Sequence, residues 1–410
     1  MSRIAFNGNP LGTGTVTIAS PNTNSDRTVT LPDATGTLIT NSGTEAISAA
    51  SLTVSGASTT GSLTVNSNNI SAVNSLGFRN RLINGGMVID QRNNGAAVTG
   101  AQYTVDRWRT WFDPGAYSFQ QVTDAPTGFS NSLRVTKTNT TASTNYAGFV
   151  QYIEGYNFAD MNFGTASASA ITLSFWVKSS ITGTFTVAVC NSAENRFYGA
   201  TYTINSANTW EFETITIPGD TTGTWLGATN GVGLQLWFNF GQPASAQAAN
   251  TWTTSAGARS VAGSTSLGTT NGATWQITGV QLEAGSVATP FERRDYGREL
   301  MICQRYYARL TAGTGTFTAF GAGTFGGASQ GNIYLKYPTT MRASPTFSQS
   351  NCAVSDGPAN IAVSSVSNFF GGSDSSLVTL ALASSGTQYR GATLVANNNT
   401  AAFIDFSAEL

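Results

Sequence analysis

The chain has 410 residues, of which 40% are hydrophobic and only 10% charged, against roughly 25% in ordinary domains; it carries 44 glycines and a formal net charge of −1. Three lysines (Lys137, Lys178, Lys336) give no electrostatic footprint for a phosphate backbone or an anionic membrane, so neither nucleic-acid binding nor membrane insertion is expected. Histidine is absent, which removes the usual general base of serine and cysteine hydrolases and the commonest zinc ligand.

Thr, Val, Ser and Phe between Gly and Asn favour strands and turns over helices, so the composition predicts an all-β chain. No run approaches about 18 apolar residues, and MSRIAFNGNPLGTG is not a basic region followed by an apolar one. The expectation is a soluble product made in the cytoplasm. Cys190, Cys303 and Cys352 are odd in number and scattered, which reads as buried small hydrophobes rather than a disulfide framework.

The first 77 residues hold one aromatic, Phe6, whereas all eight tryptophans lie between Trp108 and Trp275. TGTVTIASP and DRTVTLPDATGTLIT alternate as short hairpin strands do. SLTV recurs at Ser51–Val54 and Ser62–Val65, an 11-residue period with Gly56 and Gly61 between the copies. Leu52, Val54, Leu63 and Val65 face one side of ribbons too thin to bury them, so the partners must come from other copies. A β shaft of a homotrimeric fibre is the expectation for residues 1–77, trimer by analogy with fibre shafts; a disordered Ser/Thr-rich linker is the alternative.

From Phe78 to about residue 292, regularly spaced strands (NSLRVTK, GFVQYIEG, ITLSFWVKSS, GTFTVAVC, RFYGATYTI, WEFETITIP, GVGLQLWFNF, WQITGVQLEAG) separated by Gly, Asn and Ser turns predict a two-sheet sandwich of the jelly-roll kind. Leu173, Phe175, Val177, Leu234, Leu236 and Phe238 are candidate core, and Trp176 and Trp275 are assigned to it with them. Over 293–310, Tyr296, Leu300, Cys303, Tyr307 and Leu310 recur at helical spacing. Such a helix either forms a neck around an assembly axis or packs singly across the sandwich base. Residues 311–410 predict a small β tip whose glycine-rich loops are exposed and whose last strand, with Ile404, Phe406, Ala408 and Leu410 on one face, pairs into a sheet.

The run ITGVQLEAGSVATPFERRDYGRELMICQRYYARL (277–310) resembles a junction found in bacteriophage tail fibres and related virion appendages. NRLINGGMVIDQRN, YTVDRWR, ITLSFWVKSS and GTFTVAV look like the rest of that module, itself similar to carbohydrate-binding jelly rolls, and NTNSDRTVTLPDATGTLIT is similar to the amino-terminal part of such fibres. The likeness covers most of residues 10–310; beyond it only PTTMRASP and the glycine-rich β character look familiar. It implies a virion structural protein that attaches to the phage tail by its amino end and presents its carboxyl end to a host-surface glycan or protein. A purely structural head-fibre, collar or adaptor subunit is the rival reading.

Sugars stack their apolar faces on aromatic rings while amides and guanidinium groups take the hydroxyls. Aromatics beside turns are therefore the glycan candidates: Tyr198 and Tyr202 with Arg196 and Asn195, Trp225 with Asn230, and Trp252 with Asn250. Packing within the sandwich is the competing use of each ring. Asp106, Arg107 and Trp108 read as a buried Asp–Arg pair capped by Trp. The resemblance implies a structural calcium near Asn84, Asp90 and Glu283; no cofactor is otherwise expected. Glu211 and Glu213 point the same way on a strand, as a depolymerase's paired acids would, but without an evident cleft the expectation is a protein that is not an enzyme.

Overall fold

The computed structural model describes residues 78–112, 116–139, 147–241, 247–254 and 259–410, which fall in one compact unit. The hairpins, the SLTV repeat and the assembly positions Leu52, Val54, Leu63 and Val65 lie outside the described residues.

The regular structure of the described chain is nearly all strand, with one α-helix. Its larger half is an antiparallel sandwich. One sheet has six strands in the order β1 (Arg109–Phe112), β4 (Ala147–Glu154), β9 (Val232–Asn239), β6 (Gly183–Cys190), β7 (Phe197–Ile204) and β10 (Trp252–Thr253). The other has five, in the order β2 (Tyr117–Val122), β3 (Ser132–Lys137), β11 (Thr274–Ala284), β5 (Ile171–Ser179) and β8 (Glu211–Ile217). Because side chains alternate across a strand, Leu173, Phe175 and Val177 of β5 enter the core to meet Leu234, Leu236 and Phe238 of β9. Phe149 stacks on Phe238 at 5.1 Å and tilts against Trp275 at 5.6 Å. Each such ring removes roughly 150–250 Å² from water, about 4–6 kcal/mol of gross driving force. Their polar atoms are satisfied: Trp275 Nε1 donates to Tyr202 Oη at 3.1 Å, and Trp108 Nε1 to the Asn84 carbonyl at 3.1 Å.

The same alternation corrects one core assignment. Trp176 stands between Phe175 and Val177, both inward, so its ring is on the outer face of the sheet and half-buried, whereas Trp275 is core.

After the sandwich, α1 (Tyr296–Gln304) is nine residues long and capped by Asp295, whose Oδ1 accepts from the Arg298 amide at 2.9 Å. It packs on its own chain. Cys303 is buried with Ile83, Ile89 and Tyr306, and Leu300 lies against that cluster. Tyr296 is 64% exposed, and Tyr307 belongs to a strand, so the four residues do not form one inward stripe of a neck. The helix stops because the next residues pair as β12 (Tyr307–Thr311).

β12, β20 (Phe403–Ser407) and β15 (Thr346–Ser350) make a three-stranded sheet with the last strand in the middle. Beside it, β13 (Ala319–Gly327), β14 (Gln330–Lys336), β18 (Ser375–Leu382), β17 (Asn360–Gly371), β16 (Cys352–Ser355) and β19 (Gly391–Ala396) close into a barrel around Phe325, Ile333, Leu335, Val354, Val378, Leu380 and Leu394. The glycine-rich run expected as exposed loops is largely β13. A Cβ at Gly323 would stand 1.8 Å from the Asn332 carbonyl oxygen, so the glycine lets two barrel strands close on each other. Cys190, Cys303 and Cys352 are buried and unpaired, as expected.

The segment after β20 ties the two halves together. Arg107 is fully buried; its guanidinium pairs with Glu409, donates to the Tyr152 carbonyl at 2.7 Å and lies 3.6 Å from the Tyr306 ring centroid. Glu409 also takes Arg92 at 3.0 Å, and Arg342 donates to the carbonyls of Ala408 (2.7 Å) and Glu409 (2.9 Å). Nearby, Glu154 receives Arg305 at 2.6 and 3.0 Å and the Tyr306 hydroxyl at 2.5 Å. Burial pushes the Glu154 carboxyl up, but Arg305 and Tyr306 outweigh it and hold the group below its usual range. The expected Asp106–Arg107 pair is thus replaced. Asp106 instead accepts from Gln91 and faces Arg92 at 3.7 Å, because Arg107, at φ +72°, turns toward the chain's last residues.

Two outcomes follow from this junction. Glu409→Ala strands a buried guanidinium and is expected to cost about 3–5 kcal/mol in urea unfolding, part of it recovered by adding Arg107→Met; a loss under about 1 kcal/mol contradicts the junction's role. Burial pushes Asp106 up to about 7 against the attraction of Arg92. The folded state then holds the proton more tightly than the unfolded, so this contribution to stability is present below pH 3.8 and lost as pH rises toward about 7. Asp106→Asn should gain on the wild type across that window, and a pH-independent difference would exclude it.

Candidate functional site

Most of the loop aromatics proposed from sequence converge at one corner of the sandwich. There Trp252 meets Tyr198 at 5.2 Å and Trp225 at 5.7 Å, while Phe163 sits edge-on to Trp225 at 4.9 Å. Arg196 forks onto Asp220 at 2.6 and 2.8 Å, and the Asp220 carboxylate also accepts Trp225 Nε1 at 3.1 Å. Trp252 Nε1 donates to the Pro218 carbonyl at 3.0 Å. The polar handles of both indoles and the guanidinium are therefore committed within the corner, which reads as a cap on the end of the core.

Tyr198 and Tyr202 are buried, and Tyr202 lies in the core against Phe175 and Phe185, so neither presents a ring face to a ligand. Asn250 is exposed in a left-handed turn (φ +59°), with its amide donating to the Gly199 carbonyl at 2.7 Å. Asn195 binds the Asn191 side chain, and Asn230 exchanges hydrogen bonds with Arg342 across the sandwich–barrel junction.

The proposed calcium ligands are also dispersed into separate protein contacts. Asn84 Oδ1 accepts the amides of Val88 and Ile89, Asp90 those of Asn93 and Gly95, and Glu283 the Thr289 amide and hydroxyl. Among the described residues no group of three His, Cys, Asp or Glu is placed to hold a metal. Glu211 binds the turn amides of Asn205 and Ser206, which hold its carboxyl below the usual range despite some burial. Burial, then Glu211, pushes Glu213 up.

A concave surface exists elsewhere, on the outer face of the five-stranded sheet. Trp176 of β5 and Phe212 of β8 are register partners, and their rings lie 5.4 Å apart; Phe212 is 50% exposed. Beside them β11 carries a bulge between Thr278 and Gln281, with Gly279 at φ +63°. A Cβ there would fall 2.6 Å from Phe129 Cζ and 3.2 Å from Trp176 Cδ1, so the glycine admits the Phe129 ring from the loop before β3. The segment after β11 brings Phe291 edge-on to Phe129 at 5.2 Å, with the Arg293 guanidinium 4.7 Å from the Phe129 centroid and 5.8 Å from that of Phe291.

The result is a groove of two hollows that share Phe129, Phe291 and Arg293. The larger, about 370 Å³, is floored by Trp176, Phe212, Ser174 and Gly279; the smaller, about 260 Å³, runs toward Gly85, Gly86 and Val88. At its far side Arg294 is held by Glu292 (3.7 Å) and Glu299 (3.4 Å). Beyond Trp176, Lys178 pairs with Asp124 and lies 5.1 Å from the Trp210 ring. Chemically the groove offers half-exposed rings and a cation but no opposed pair of acids at its floor.

No protein-family model matches the sequence, and no curated protein matches it. Among solved structures, the chain is similar to the enzymatically active domain of tailspike protein 4 of bacteriophage CBA120 (15% identity, TM-score 0.28), covering 50% of this chain but 21% of that one. It is similar to a xylan-binding domain from Paenibacillus barcinonensis (11%, TM-score 0.24; 48% of this chain, 99% of that one) and to a family 11 carbohydrate-binding module from Clostridium thermocellum (13%, TM-score 0.24; 48% and 99%). These values mark a distant resemblance; what the groove can bind follows from its own side chains.

If the Trp225 corner is a cap, Trp225→Ala should lower the unfolding free energy by about 3 kcal/mol, at the lower end for a large aromatic because the ring is half-exposed. A loss under about 1 kcal/mol contradicts the cap.

Proposed function

We propose that the sandwich binds a glycan in the groove floored by Trp176 and Phe212, and that the chain is a virion appendage subunit presenting this groove to a host surface. The observation that carries the binding half is the set of four aromatic rings, half-exposed or exposed, gathered by a bulge and two loops on a sheet face that is otherwise polar. The cross-strand Trp176–Phe212 pair supports the sheet, but it leaves apolar ring surface open to solvent, and a sugar's apolar face stacks on such surface. The appendage half rests on the sequence likeness of residues 10–310 to phage fibres. A homotrimer built through residues 1–77 would multiply weak groove contacts into avidity, which suits shallow sites.

We read the role as binding without cleavage, since the acids Glu211 and Glu213 lie outside the groove and Glu211 is engaged by a turn. A purely structural subunit remains the rival, and it predicts that the groove can be emptied of aromatics without consequence. On a host-glycan array, Trp176→Ala and Phe212→Ala should each weaken binding about tenfold or more, that is about 1.4 kcal/mol, in protein that still unfolds in one cooperative transition. Unaltered binding by both variants would remove the groove from the function.

A further inference from the structure

Resting on the reading of the groove as a glycan site, we infer that its ligand is an acidic saccharide whose carboxylate is taken by Arg293. Of the described side chains lining the larger hollow, Arg293 is the only charged one, and it lines the smaller hollow as well. Its neighbour Arg294 is neutralised by Glu292 and Glu299, but among the described residues Arg293 makes no ion pair within 4 Å. It is held instead against the faces of Phe129 and Phe291. A guanidinium stacked on rings is positioned without a counter-ion, and its in-plane N–H donors stay open to a planar, two-oxygen acceptor.

The charge balance of the site fits this ligand. A neutral sugar would leave a cation beneath it partly desolvated with only hydroxyls to meet it, whereas a carboxylate replaces the lost water with a charge-assisted bidentate contact. The acids lining the smaller hollow, Glu292 and Glu299, are spent on Arg294 and on the amides of Asn80 and Asn84, so they do not compete for Arg293. Trp176 and Phe212 would then stack one sugar ring while Arg293, at the lip shared by both hollows, fixes its acid group.

The test uses the full chain with oligogalacturonate and sialyllactose, each beside its carboxyl-reduced neutral counterpart, in titration calorimetry. The acidic forms should bind about tenfold or more tightly than the reduced ones, with a preference that shrinks as salt rises from about 0.05 to about 0.3 M. Arg293→Gln should bring the acidic forms down to the affinity of their reduced counterparts, and Trp176→Ala should lose both forms. Equal affinity for acidic and reduced sugars, or an unchanged preference in Arg293→Gln, overturns the acidic ligand and leaves the groove standing. Binding of none of the four overturns both.

Discussion

The architecture turns on one buried contact, the Arg107 guanidinium clasped by Glu409. A fully buried cation is tolerable only with a carboxylate and hydrogen bonds around it; here the carboxylate, Glu409, lies 302 positions along the chain and the hydrogen-bond acceptor, the Tyr152 carbonyl, 45. The chain's last strand must therefore be in the centre of its three-stranded sheet, and Tyr306 must reach Glu154, before the sandwich base is electrostatically complete. Arg92, Arg305 and Arg342 add their own ion pairs and hydrogen bonds to the same base. The sandwich and the barrel are in this sense one folding problem rather than two.

The groove depends on a different economy. Pairing both edges of β11 gives a flat sheet face, which binds nothing in particular; the bulge at Gly279 breaks that flatness. Phe129 drops into the space where a side chain would stand and Phe291 closes over it, so a local defect in the ladder becomes a concavity. The aromatic corner at Trp225 shows the opposite outcome for the same residue types. Its indoles spend their N–H groups on Asp220 and Pro218 and its guanidinium on Asp220, so little is left to offer a ligand.

Two features legible in the amino-acid order survive folding unchanged. Alternation marked the strands, including the last one with Ile404 and Phe406 inward, and the scattered cysteines read as buried hydrophobes. The placement of the aromatic rings was legible only in part. Of the turn-adjacent rings, Tyr198, Trp225 and Trp252 are drawn into a cap and Tyr202 into the core. The period-2 rule places Trp176: with Phe175 and Val177 inward, it has to face out. Phe129, Phe291 and Arg293 carried no comparable signal, since they lie in irregular segments about 160 residues apart that meet only once the bulge exists.

By itself, then, the sequence determined the class of structure, because strand periodicity and turn composition act over a few neighbouring residues. It also determined which chemistries were unavailable, since a chain without histidine cannot acquire one by folding. The tertiary structure alone decided which rings are core, which are cap and which remain open, and which arginines are neutralised. Those outcomes are set by tertiary partners: Arg107 finds Glu409 rather than Asp106, Arg294 finds Glu299, and among the described residues Arg293 meets two aromatic faces and no carboxylate within 4 Å.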